Sequence, residues 1–104
     1  MFSNATKLTV IAERLLQDRL IDMLYAGGAK GHTLFDGSGK GEHGDRVGDR
    51  ASVIHDFTIV QIDAVFGKDH QARKVAEEIA EDVFIDYAGI VYLSPVEVIR
   101  AKRF

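Results

Sequence analysis

Residues 57–66 read FTIVQIDAVF, and this stretch decides the architecture. Thr58, Val60, Ile62, Ala64 and Phe66 fall on one side of an extended chain, while Phe57, Ile59, Gln61, Asp63 and Val65 fall on the other. A period of two marks a strand, because successive side chains point to opposite faces. The first face is almost continuously apolar and must be buried. The second is mixed, which predicts that it is also covered over part of its area, by another subunit.

Downstream of this strand the period changes. Asp69 is placed to cap a helix running to about Ile85, with Ala72, Val75, Ala76, Ile79, Ala80 and Val83 as its buried stripe. Lys74, Glu77, Glu78 and Glu81 fall on the solvent side. After the turn Asp86-Tyr87-Ala88-Gly89 a last strand is expected from Ile90 to Leu93, before Pro95 and a basic tail, IRAKRF. Upstream, residues 7–13 alternate, with Leu8, Val10 and Ala12 on one face and Lys7, Thr9, Ile11 and Glu13 on the other. From Arg14 onward Leu16, Leu20, Met23 and Leu24 recur at helical spacing. Gly27-Gly28 then supplies a helix stop, since glycine tolerates positive φ. A short strand near Gly31 to Asp36 completes the order βαββαβ. This is the split βαβ, or ferredoxin-like, α+β unit: a four-stranded antiparallel sheet with two helices on one face.

A chain of 104 residues suits one domain, 1–104, and the hydrophobic share of 46% against 28% charged is an ordinary globular balance. There is no cysteine, which removes disulfides, thiolate zinc sites and thiol nucleophiles. The formal net charge of −3 argues against a nucleic-acid surface. Glu13 and Arg14 interrupt the one apolar stretch near the N-terminus, which therefore lacks the layout of a secretory signal, and a cytoplasmic location without membrane insertion is expected.

Residues 37–54, GSGKGEHGDRVGDRASVI, break every periodicity, with five glycines and six charged residues. Structureless connections of this length are uncommon unless they are functional or disordered. Gly39, Gly41 and Gly44 match G-x-G-x-x-G, but the motif joins two strands and opens no helix, so the dinucleotide reading fails. Lys40 has no Ser or Thr after it, so a nucleotide P-loop fails too. Two readings stay open: glycine N–H groups and Lys40 gathered round an anion, or a flexible connection. Arg46 and Arg50 alternate with Asp45 and Asp49 and can neutralise them. His32, His43, His55 and His70 include no helical i, i+4 pair, so no metal site is assigned. Ser38, Ser52 and Ser94 lack a recognisable base, and no catalytic residue is assigned.

Read together and in order, these segments resemble the PII family of signalling proteins over almost the whole chain. Gly31-His32-Thr33 matches the family's G-x-T in the second strand. Gly39-Lys40-Gly41 stands at the start of its long T-loop, and LSPVEVIRAK, residues 93–102, is close to its ending. The resemblance implies a homotrimer with nucleotide in the clefts between subunits, and Thr33, Gly39, Lys40, Gly41, Gly89, Arg100 and Lys102 as nucleotide-binding residues. The chain departs from ordinary PII proteins in three ways. Its T-loop, 37–54, has no tyrosine, Lys40 has no neighbouring glutamine, and the TG-x-x-GDGK turn is reduced to Asp86–Gly89.

Those departures, with GSGKG at 37–41 and FIDYAGI at 84–90, resemble the PII-like proteins associated with bicarbonate transporters and carboxysomes. That likeness implies a regulatory protein rather than an enzyme. It would bind ADP or AMP and sense bicarbonate, with Lys40, Arg46 and Arg50 as anion candidates. Its partner would be a bicarbonate transporter or a carboxysome-related protein. The rivals are a metal-responsive ferredoxin-like trimer of the divalent-cation-tolerance type, using His43 and the loop acids, and a small nucleotide hydrolase using Glu42 or Asp45.

Overall fold

Strand β1 occupies Ser3–Glu13, longer at its start than the alternation alone predicts. Its Leu8, Val10 and Ala12 are buried on one face. A computed structural model of the protein describes residues 1–38 and 58–99. After β1 a single 3-10 turn, Arg14–Leu16, swings the chain into helix α1, Gln17–Ala26. Strand β2 is Thr33–Ser38, β3 is Thr58–Phe66, helix α2 is Asp69–Asp82 and β4 is Gly89–Val98. All strand pairs are antiparallel and the sheet order is β2-β3-β1-β4. The order βαββαβ and the α+β ferredoxin-like class are those expected from the sequence.

Both helices cover the same face of the sheet. Leu8, Val10 and Ala12 of β1 and Val60, Ile62, Ala64 and Phe66 of β3 pack there against Leu16, Leu20 and Leu24, and against Ala72, Val75, Ile79 and Val83. Burying each of the Val, Leu, Ile and Phe side chains here is worth about 1.5–3 kcal/mol, so this layer drives folding. Gly28 takes φ 111° after α1, the positive value for which glycine was expected.

Four details differ from the sequence reading. First, β4 continues through Pro95 to Val98, with Pro95 opposite Thr6. Among the described strands β4 lies at the sheet edge, with one row of backbone groups facing none of them, so a missing N–H on that side breaks no ladder bond there. Second, β2 begins and ends two residues later than expected. Gly37 and Ser38 pair with Ile59 and Thr58, so they belong to the sheet.

Third, Asp69 does not cap α2. The N-cap position is Lys68, and Asp69 lies in the first turn. Its carboxylate accepts the Thr6 hydroxyl at 2.8 Å and the Arg73 Nε–H at 2.6 Å, tying the helix start to β1. Both bonds favour the charged form and hold its pKa below the usual carboxylate value. Fourth, α2 stops at Asp82, where the amides of Val83 and Phe84 both turn back to the Ile79 carbonyl. Arg19 Nη2 donates to the Asp82 carbonyl at 3.1 Å, satisfying one of the acceptors that a helix end leaves open. Ala80, one step round the helix from Ile79, is exposed rather than buried.

Among the described residues no helix covers the other face of the sheet. Register places Phe35, Gln61, Ile11 and Ile90 in one row across it, and Thr33, Asp63, Thr9 and Tyr92 in the next. Phe35, Ile90 and Tyr92 are each at least 44% exposed, so this face is partly apolar and open in the single chain.

Candidate ligand cleft

The ladder between β2 and β3 begins at Thr33–Asp63. Before Thr33 the β2–β3 pairing stops, so among the described residues the backbone edge of β3 beyond Asp63 has no strand beside it on that side. The gap is a cleft of about 200 Å³, lined by Lys30, Gly31, His32 and Thr33 on one wall and Asp63, Ala64 and Val65 on the other. Backbone N–H and C=O groups along an unpaired strand edge can recognise the edge of a planar heterocycle as they would a neighbouring strand.

Asp63 is the charged residue in this cleft whose bonds are set by the sheet. Its Oδ1 accepts the Thr9 hydroxyl at 2.8 Å and Gln61 Nε2 at 3.2 Å. Oδ2 is reached by Gln61 at 3.5 Å, which leaves it acceptor capacity for a donor in the cleft. Lys30 at the mouth supplies the opposite charge.

The wall opposite Asp63 is held at both ends. Gly27 N–H and Gly28 N–H bond the last turn of α1, and Ala29 N–H reaches the Leu24 carbonyl at 3.0 Å. A side chain on Gly28 would meet the Gln71 amide at 2.9 Å, so the turn fits closely against α2. Between Ala29 and Thr33, the His32 Nδ1 lies 2.8 Å from the Tyr25 hydroxyl, with the two rings edge to face.

Of the residues singled out from the sequence, Thr33 lines this cleft and Gly89 does not. Gly89 opens β4 opposite Ala12, three residues along β1 from Thr9. Thr33 and Gly89 stand on the two opposite edge strands, and three strand spacings with a three-residue offset put them roughly 17 Å apart. Gly89 also has a packing reason: a Cβ there would run into the Phe84 ring and lie 3.0 Å from the Ile11 carbonyl oxygen. Gly39, Lys40, Gly41, Arg46, Arg50, Arg100 and Lys102 lie outside the described residues. So do Glu42, His43 and Asp45.

The ends of the described strands nevertheless order the chain. Ser38 and Thr58, which flank segment 39–57, stand at the same end of the sheet as Gly89. Val98 stands opposite Ser3, at the other end of β4, about 30 Å from Gly89 at the usual rise per residue. Within one chain the loop base and the end of β4 are therefore far apart.

Of the lining residues, sequence reasoning singled out Thr33 for binding and missed Lys30, Gly31, His32, Asp63, Ala64 and Val65. Asp63 was legible as the one charge in FTIVQIDAVF, but its pairing with Thr33 depends on register across the long connection. Among the described residues no group of three His, Asp or Glu side chains could hold a metal ion.

A four-stranded antiparallel sheet with two helices on one face is the ferredoxin-like α+β frame. Residues 5–103 match the family model for nitrogen regulatory protein P-II, and the chain belongs to that family of regulatory proteins. Among solved structures, it is similar to a protein from Thermus thermophilus assigned to PII-like signalling. The identity is 26%, with a TM-score of 0.79, covering 99% of this chain and 97% of that one. It is also similar to CPII of Thiomonas intermedia bound to ADP and bicarbonate, at 25% identity and TM-score 0.80, covering 100% and 97%. The same protein bound to ADP, AMP and acetate matches at 23% identity and TM-score 0.80, covering 100% and 97%.

Proposed function

We propose that this protein is a trimeric sensor that binds an adenine nucleotide, ADP or AMP, between subunits and responds to bicarbonate. The observation that carries the reading is the cleft beside Thr33 and Asp63, which lies across the width of the sheet from Gly89 and five residues along β2 and β3 from Ser38 and Thr58, the base of segment 39–57. A nucleotide is long enough to bridge two such regions when they come from neighbouring subunits, with its base in one and its phosphates in the other. In the cleft the β3 edge and Asp63 Oδ2 offer acceptors to an exocyclic amine. Adenine presents an amine at the position where guanine presents an acceptor oxygen, so adenine is favoured.

The open sheet face supports the trimer, because Phe35, Ile90 and Tyr92 are an apolar area that a like subunit would cover. CPII, whose structures hold ADP, AMP and bicarbonate, supports the ligand class. The loop-start and turn motifs at 37–41 and 84–90 are the basis for proposing a link to bicarbonate uptake or to carboxysomes. Gly39, Lys40, Gly41, Arg100 and Lys102 are the proposed phosphate side of the site, and Arg46 and Arg50 join Lys40 as anion candidates.

Titration calorimetry with AMP, ADP, ATP and cyclic AMP, each with and without bicarbonate and magnesium, tests this. Saturable binding of an adenine nucleotide, one per chain, is expected. No binding of any of the four would remove the reading. Turnover of the nucleotide would favour a hydrolase, and binding of a divalent cation alone would favour a metal-responsive protein.

A further inference from the structure

We infer that Tyr25 and His32 form a positioning pair that holds one wall of the ligand cleft in its binding shape. This rests on the nucleotide reading above. The wall is Lys30-Gly31-His32, three exposed residues between two fixed points. Upstream, Ala29 is buried and its N–H is bonded to the end of α1. Downstream, Thr33 enters the ladder opposite Asp63.

Between those points the chain makes no backbone hydrogen bond among the described residues, and a side chain on Gly31 would touch nothing within 4 Å. Among the described residues, the side-chain tether of this wall is the 2.8 Å bond from His32 Nδ1 to the Tyr25 hydroxyl. The rings meet at 82° with centroids 5.6 Å apart, so the bond comes with an edge-to-face contact that fixes the imidazole plane. Tyr25 is itself held in the last turn of α1, whose Leu24 is fully buried. The pair therefore ties a segment with no ladder of its own to a helix that is locked into the core.

Ordering three free residues when a ligand arrives carries a conformational entropy cost, and one of them is a glycine with no side chain to limit it. A wall ordered beforehand binds more tightly for the same contacts. Tyr25 and His32 act on the ligand through the backbone they position and need not touch it.

The test is a double-mutant cycle on the full chain, with nucleotide affinity and thermal stability measured on each variant. Tyr25→Phe and His32→Leu should each weaken ADP or AMP binding by about 3- to 10-fold, the range for one hydrogen bond, with Tm almost unmoved because the pair is exposed. The double variant should bind no worse than the weaker single one. His32→Gln, which keeps a hydrogen-bonding group within reach of the phenol, should recover part of the loss. Backbone NMR order parameters at Lys30–His32 should fall in Tyr25→Phe without ligand. Wild-type affinity in both single variants, with the wild type binding normally, overturns the pairing role alone. Affinity losses that simply add, or that follow a drop in Tm, also overturn it. A wild type that binds no nucleotide overturns the functional reading, and this inference with it.

Discussion

Thr9 and Asp63 face each other across β1 and β3, and the Thr9 hydroxyl donates to Asp63 Oδ1 at 2.8 Å. Thr9 is fully buried although it lies on the face that neither α1 nor α2 covers, and its hydroxyl takes Asp63 as its partner. The bond also orients the carboxylate that lines the cleft. Thr9→Val, which keeps the shape and removes the donor, should cost about 0.5–1.5 kcal/mol in urea unfolding. Asp63→Ala should cost about 1–3 kcal/mol, because it leaves a buried hydroxyl unsatisfied. Equal costs would mean that water replaces the carboxylate. On the proposed function, Asp63→Ala should also narrow any preference for adenine over guanine nucleotides.

Gly89 separates a packing role from a ligand role. A methyl group there overlaps the Phe84 ring, so Gly89→Ala should destabilise the domain by about 1–3 kcal/mol, the usual range for overpacking. Shortening the neighbour should restore much of that, so Gly89→Ala with Phe84→Leu should unfold at higher urea than Gly89→Ala with Phe84 intact. An unchanged midpoint in Gly89→Ala would show that the ring moves freely, leaving ligand contact as the reason for glycine.

Asp69 gives the fold a defined acid limb. Arg73 first, then the Thr6 hydroxyl, lowers its pKa in the folded state. A carboxyl with a lowered folded pKa stabilises the fold above its unfolded value, near pH 3.9, and loses that contribution as pH falls through the folded value. Wild type should therefore be more stable than Asp69→Asn at neutral pH, with the gap closing as the pH drops below about 4. The effect should be small and should shrink with salt, since the pair is exposed. A gap constant from neutral pH down to pH 3 would contradict it.

The nucleotide and anion proposals meet at Lys40. If it reaches a phosphate, Lys40→Ala should weaken nucleotide binding by about 1.5–3 kcal/mol, the range for a charge-assisted hydrogen bond, and leave Tm unchanged. Linkage adds a second condition. Bicarbonate must tighten nucleotide by the same factor that nucleotide tightens bicarbonate, about 5–150-fold for real coupling. Nucleotide affinity that ignores saturating bicarbonate, at matched pH and ionic strength, would remove the inorganic-carbon reading. Light scattering should give a trimer, and a mass near 11.5 kDa would remove the shared clefts altogether.

Local periodicity alone determined the number, kind and order of the elements here, because the core face of each one repeats in the chain itself. Leu8, Val10 and Ala12 alternate, Ala72, Val75 and Ile79 recur at helical spacing, and both stripes are buried as their spacing demands. Gly27-Gly28 was legible as a stop for the same reason, since positive φ is a local property. What depended on distant partners could be read only from the tertiary structure. Pro95 ends a strand by local rules, yet β4 runs through it because β4 lies at the sheet edge. Asp69 has the local look of a cap, yet its carboxylate turns to Thr6, 63 residues away. The cleft is the clearest case. Thr33 was visible in a short motif, but its neighbour Asp63 and the tether from Tyr25 to His32 came together only through register and packing. Thr33 and Asp63 stand 30 residues apart in sequence, and although Tyr25 and His32 are only seven apart, no periodicity of the chain shows that the turn after α1 brings their side chains together.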